Sequence, residues 1–192
     1  MRTLPTAAAA AGVVLCAGTA LAGMQRIDYR LVGTNLVDTG GFNWTVDVIA
    51  VLDADNRLDA VAGNGDQQKL ITSSGGFYQN PLCGGTSANN NEGFWGMQPS
   101  MEFDSFVTIG SMSSTDNELQ TIGIDFTSFE AGGDLWTDNG TWFIIPTEPQ
   151  GEAISQDTHS CDTADGVTIA RLTILGENSL VTFEALFQGR DE

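Results

Sequence analysis

From residue 23 onward the apolar side chains recur at every second position in short runs, and the three-and-four spacing of an amphipathic helix is almost absent. That pattern restricts the chain to β-structure. Within residues 42–51, Phe42, Trp44, Val46 and Val48 fall on one side and Asn43, Thr45 and Asp47 on the other, the rhythm of a strand buried on one face. Residues 26–32, 58–62, 68–72, 102–109, 119–126 and 142–145 read the same way. Gly63-Asn64-Gly65-Asp66 marks a turn between two of these strands, and Asn139-Gly140 has the chemistry of a type I′ hairpin turn. Residues 167–175 and 179–187, joined by Gly176-Glu177-Asn178, are expected to form a terminal hairpin. About nine or ten strands at this spacing predict a single antiparallel β-sandwich, jelly-roll-like and all-β.

The first 22 residues are of another kind. Arg2 supplies a positive start, residues 7–15 an apolar stretch, and Ala20-Leu21-Ala22 a small-residue cleavage site before Gly23. This is the layout of an export leader, and its apolar run is shorter than the roughly 18–20 residues that span a bilayer. The expected organisation is therefore a signal peptide over 1–22 and one β-sandwich domain over 23–192, secreted or held in the periplasm or at the cell surface. The bulky Leu15 before Cys16 argues against lipid attachment there.

Charge narrows the partners. With 25 acidic and 7 basic residues the formal net charge is −18, and loss of Arg2 with the leader makes it one unit more negative. Nucleic acids and anionic membranes are excluded as partners, because phosphate contacts need the lysines and arginines this chain lacks. Cys83 and Cys161 outlast the leader, and in an oxidising compartment two cysteines point to one disulfide. Closing a loop of about 77 residues would contribute on the order of 4 kcal/mol.

Catalytic signals are sparse. The lone histidine, His159, sits in a polar stretch with no nucleophile elbow, so a serine triad and a zinc site both lack their parts. Asp53, Asp55 and Asp59 alternate as calcium-loop ligands do, and calcium is the one cofactor they suggest. Arg57 and Leu58 interrupt the pattern, however, and position twelve is Asn64, which favours a solvated turn. Glu102 and Asp104 share a strand face, as any carboxylates two apart would, and read as exposed. Residues 74–100 differ from the rest. They combine Gly75-Gly76, Asn80-Pro81, Gly84-Gly85 and Asn89-Asn90-Asn91 with Phe77, Tyr78, Phe94 and Trp95. A long loop carrying rings beside amides is the sequence's best binding surface, suited to stacking on a sugar.

Leu31-Val32-Gly33-Thr34, Trp44-Thr45-Val46-Asp47-Val48, Phe77-Tyr78-Gln79-Asn80, the run from Glu102 to Gly110, and Asn139-Gly140-Thr141-Trp142-Phe143 resemble a group of secreted, uncharacterised proteins of planctomycete-type bacteria. The resemblance covers most of the domain. It implies a sandwich of the cohesin or carbohydrate-binding-module style and carries no catalytic residue. Some of that group end in a PEP-type sorting anchor, whereas this sequence stops at Glu192. The expected function is an extracellular binding or structural module that associates with a glycan or an envelope component. The alternative is a small secreted hydrolase using a carboxylate pair.

Overall fold

The alternation becomes two antiparallel sheets in a computed structural model that describes residues 13–17, 23–160 and 162–190. In chain order the strands are β1 (Val13–Ala17), β2 (Met24–Thr34), β3 (Asn43–Leu52), β4 (Arg57–Gly63), β5 (Lys69–Ser73), β6 (Phe106–Val107), β7 (Gln120–Ile122), β8 (Leu135–Thr137), β9 (Gly140–Phe143), β10 (Ile154–Asp157), β11 (Thr163–Leu175) and β12 (Val181–Arg190). The α-helix α1 (Thr127–Glu130) makes one turn. The first sheet runs β10-β11-β3-β2 with β6 beside β11, and the second is built around β12. β1 pairs in parallel with β12, the exception among antiparallel neighbours.

One apolar core joins the sheets. Trp44, Val46, Val48, Ala50 and Leu52 of β3 and Val167, Ile169, Leu172 and Ile174 of β11 face Leu58, Val61, Ile71, Leu135, Trp142, Val181, Phe183 and Phe187 of the second sheet. Each fully buried side chain of this size contributes roughly 1.5–3 kcal/mol by leaving water. Trp142 and Phe183 meet edge to face at 6.4 Å, as do Phe77 and Phe129 at 5.4 Å. The buried indole N–H groups are paired: Trp44 donates to the Gly176 carbonyl and Trp142 to that of Thr108.

The second sheet assembles differently from the expected hairpins. β4 and β5 do not pair with each other. Residues 57–62 lie against 190–186, and then residues 70–73 lie against 184–181 of the same strand. A Cβ added at Gly63 would lie 2.6 Å from the Lys69 amide nitrogen, so the intervening residues bulge out and the two strands follow one another along β12. β8 and β9 repeat the arrangement, pairing with β5 and β4 rather than with each other, so Asn139-Gly140 turns the chain without making a hairpin. β11 and β12 belong to opposite sheets, and Gly176-Glu177-Asn178 crosses between them instead of closing a hairpin. Period-two patterning sets which face a residue shows but not which strand lies beside it.

The first sheet also departs from a one-side-buried pattern. All ten residues of β3 are buried, Asn43, Thr45 and Asp47 included. Their face is covered by residues 77–107, which run along β11 through the Phe77–Ile174 bridge and then β6. Of residues 102–109 only Phe106–Val107 is strand, and Pro99–Met101 makes a turn of 3-10 helix before it. Residues 119–126 shorten to Gln120–Ile122.

Candidate functional site

The four loop aromatics do not form one surface. Phe77 is 2% exposed and belongs to the core. Tyr78 is half-buried, its hydroxyl accepting from Asn80 Nδ2 at 3.4 Å. Trp95 is half-buried and donates from Nε1 to Asn90 Oδ1 at 2.9 Å, while Asn90 Nδ2 donates to the Met101 carbonyl. Phe94 alone stands out, 48% exposed, beside Met97 at 74%. The loop is stiffened by its polar side chains: Glu92 accepts from the hydroxyls of Ser113 and Thr115, and Asn117 donates to Ser87 Oγ and the Ser113 carbonyl. The asparagines that helped mark this segment as a loop also hold it down.

The acidic candidates scatter. Asp59 accepts from Arg57 Nε at 2.7 Å in a buried pair, Asp53 accepts from Gln25 Nε2, and Asp55 sits exposed with φ +66°. Among the described residues no three Asp, Glu, His or Cys side chains gather as a metal centre. In this structure the three aspartates thus stand in an ion pair, an amide contact and a turn. Cys83 is a free thiol, and its expected partner, Cys161, lies outside the described residues. The thiol faces the Asp104 carboxyl. Burial first, and then the Asp104 charge, push Cys83 up to about 12, while burial pushes Asp104 up to about 7. Asp104 is fully buried, not exposed as its strand pattern suggests. Its Oδ1 accepts from the Asn80 amide at 2.6 Å, and its Oδ2 has no N–H or O–H donor. His159 is exposed and stacks on Tyr29, ring centroids 4.3 Å apart.

The surface that does gather lies on the outer face of the second sheet. Because Trp142 points into the core, its neighbours Thr141 and Phe143 point away from it. Two rows cross the strands there: Ile122, Thr141, Ala62 and Leu186, then Gln120, Phe143, Ala60 and Gln188. The small side chains of Ala60 and Ala62 leave a shallow groove of about 450 Å³, walled by Phe143, Ile122, Ile144 and Pro146 and flanked by Gln188 and Asp59. Further along, Trp136 of β8 is 49% exposed, and Gln68 Oε1 accepts from its Nε1 at 3.1 Å, which fixes the ring by one edge. A second depression of about 440 Å³ adjoins Trp136 and is lined by Asp125, Ser128, Asp134 and Asp138. Hydrogen bonds from Thr127 hold Asp125 below the usual carboxylate range. Residues 142–145 read as a strand in the sequence, but the face turned to water is known only once β4 and β5 are seen to share an edge of β12.

Basic side chains are fully engaged. Among the described residues Arg26, Arg30, Arg57 and Arg171 lie in ion pairs, and Arg190 donates to the Pro146 carbonyl. Lys69 is buried with Nζ 3.8 Å from the Trp142 ring centroid, donating to the Val61 carbonyl at 2.7 Å. The exterior is thus anionic with no uncommitted cation among those residues. No described helix is long and apolar enough to cross a membrane. Comparison with protein-family models, curated proteins and solved structures finds no match to this chain.

Proposed function

We propose that this chain is an exported, non-catalytic module that holds a neutral polysaccharide on the outer face of its second sheet. The observation carrying this reading is exposed Trp136 and half-buried Phe143 on one sheet face, set among Gln68, Gln120, Gln188 and Thr141 beside the alanine-floored groove. A sugar ring has an apolar face that stacks on an aromatic and a rim of hydroxyls that pair with amides, so flat rings bordered by uncharged polar groups suit it. Among the described residues every arginine is engaged and acids predominate, which disfavours an anionic polymer. A carboxylate-pair hydrolase draws less support. Such an enzyme needs a raised acid facing an ionised partner across a cleft, yet Asp104, the raised acid, is sealed inside and lines neither depression.

Affinity electrophoresis through gels containing neutral polysaccharides tests this reading. Retardation by at least one of them, lost or weakened about tenfold in Trp136→Ala and Phe143→Ala, is the expected result. Migration unaffected by every polysaccharide overturns it. A second reading puts the polysaccharide contact at Phe94 and Met97, exposed together on a stiffened loop. Retardation abolished by Phe94→Ala and untouched by Trp136→Ala moves the site there.

A further inference from the structure

β1 and β5 occupy opposite edges of β12. Phe183 pairs with Ile71 on one side and Leu15 on the other, and Glu184 pairs with Leu70 and Cys16. A strand has only two edges, so the ladder at Val181–Ala185 is complete only while Val13–Ala17 lies beside it. Exposed edges are normally guarded by lysine, proline or a bulge. Residues 181–187 contain neither lysine nor proline, and the register shift of β12 comes later, between Gln188 and Gly189. Val181, Phe183 and Ala185 are buried toward the core and Thr182 and Glu184 are half-buried, so the edge presents its main chain with Glu184 as the one charged side chain of the ladder. The segment seated on it, Val13-Val14-Leu15-Cys16-Ala17, is uncharged and belongs to the stretch with the pattern of a cleavable leader.

We infer that the edge of β12 at Val181–Ala185 is a strand-acceptor site, filled in the full chain by residues 13–17 and, after loss of the leader, by an uncharged extended segment of another protein running parallel to β12. Strand addition of this kind draws affinity from main-chain hydrogen bonds and selectivity from alternate side chains. The anionic exterior selects against an acidic segment. Release of the edge depends on the same export step as the glycan reading, but its test involves no polysaccharide, so either can fail alone.

Hydrogen exchange at Val181–Ala185 in the full chain, compared with Val14→Pro and Leu15→Pro, provides that test. Adjacent positions are chosen because alternate residues direct their N–H toward β12. At least one variant is expected to exchange about half of these amides tenfold faster or more, since alternate amides face each edge. A synthetic peptide of residues 11–19 carrying Cys16→Ser should restore protection, and the same peptide with Leu15→Pro should not. Equal exchange in wild type and both variants, or no restoration by peptide, overturns the assignment. Protection regained only as protein concentration rises gives the edge to a second copy and overturns it as well.

Discussion

Asp47 of β3 and Arg171 of β11 face each other in register and form a two-pronged ion pair, Nε to Oδ1 at 2.7 Å and Nη2 to Oδ2 at 3.1 Å. Arg30 of β2 completes the row with Nη2 2.6 Å from Oδ2, so one carboxylate ties three strands. Arg171 also donates to the Glu102 carbonyl and pins the covering loop onto the sheet. Asp47→Ala leaves Arg171 buried and uncompensated. It is expected to cost about 3–5 kcal/mol in urea unfolding, far more than the loss of a surface pair. A change below about 1 kcal/mol shows that the row is not needed for stability.

Lys69 makes the opposite prediction. Burial holds its amine down to about 6, so between that value and 10.5 the folded chain binds fewer protons than the unfolded one. The Lys69 contribution to stability should therefore climb as pH rises from about 6 toward 10. The Trp142 face and the Val61 carbonyl return part of the cost of burying the amine. Lys69→Met fills the same space without that cost and is expected to gain about 1–3 kcal/mol at pH 7, the advantage shrinking toward pH 10. A loss at pH 7 would mean that the amine's hydrogen bond to the Val61 carbonyl outweighs the cost of burying it.

Asp104 titrates the other way. Its folded value of about 7 lies above its ordinary 3.8, so the folded state holds the extra proton between them and stability falls as pH rises through that window. Asp104→Asn keeps an oxygen for the Asn80 amide and removes the titration. It should match wild type near pH 4 and exceed it at pH 8 by up to roughly 4 kcal/mol, with unfolding midpoints across pH as the measurement. The neighbouring Cys83 thiol, raised to about 12, should alkylate on the order of a thousandfold more slowly at pH 8 than in the unfolded chain. Equal rates in folded and unfolded protein would show that it is not held beside Asp104.

The sandwich itself was legible because burial and pleat share a period of two. Phe42–Val48 could be sorted into faces without knowing a neighbour. Partners were not legible. Gly63-Asn64-Gly65-Asp66 and Asn139-Gly140 carry turn chemistry, yet each joins strands that run on in the same file, because β12 accepts β4 and β5 end to end. The polar rear of β3 read as wet for a related reason: nothing local reveals that Arg171 and a distant loop will cover it. Phe77 was misplaced with the loop aromatics, since a buried ring in a glycine-rich stretch looks like an exposed one until Phe129 is found against it. Trp136 stood in plain view but carried no loop context to single it out.

The distance in sequence between β12 and its partners has a kinetic consequence. Strands β4 and β5 find their central neighbour in residues 181–190, far along the chain from both. Pairing across such a separation pays loop-closure entropy before it gains contacts, which slows folding. The second sheet therefore cannot lock on contacts local to β4 and β5, and its closure waits on a pairing between residues distant in sequence.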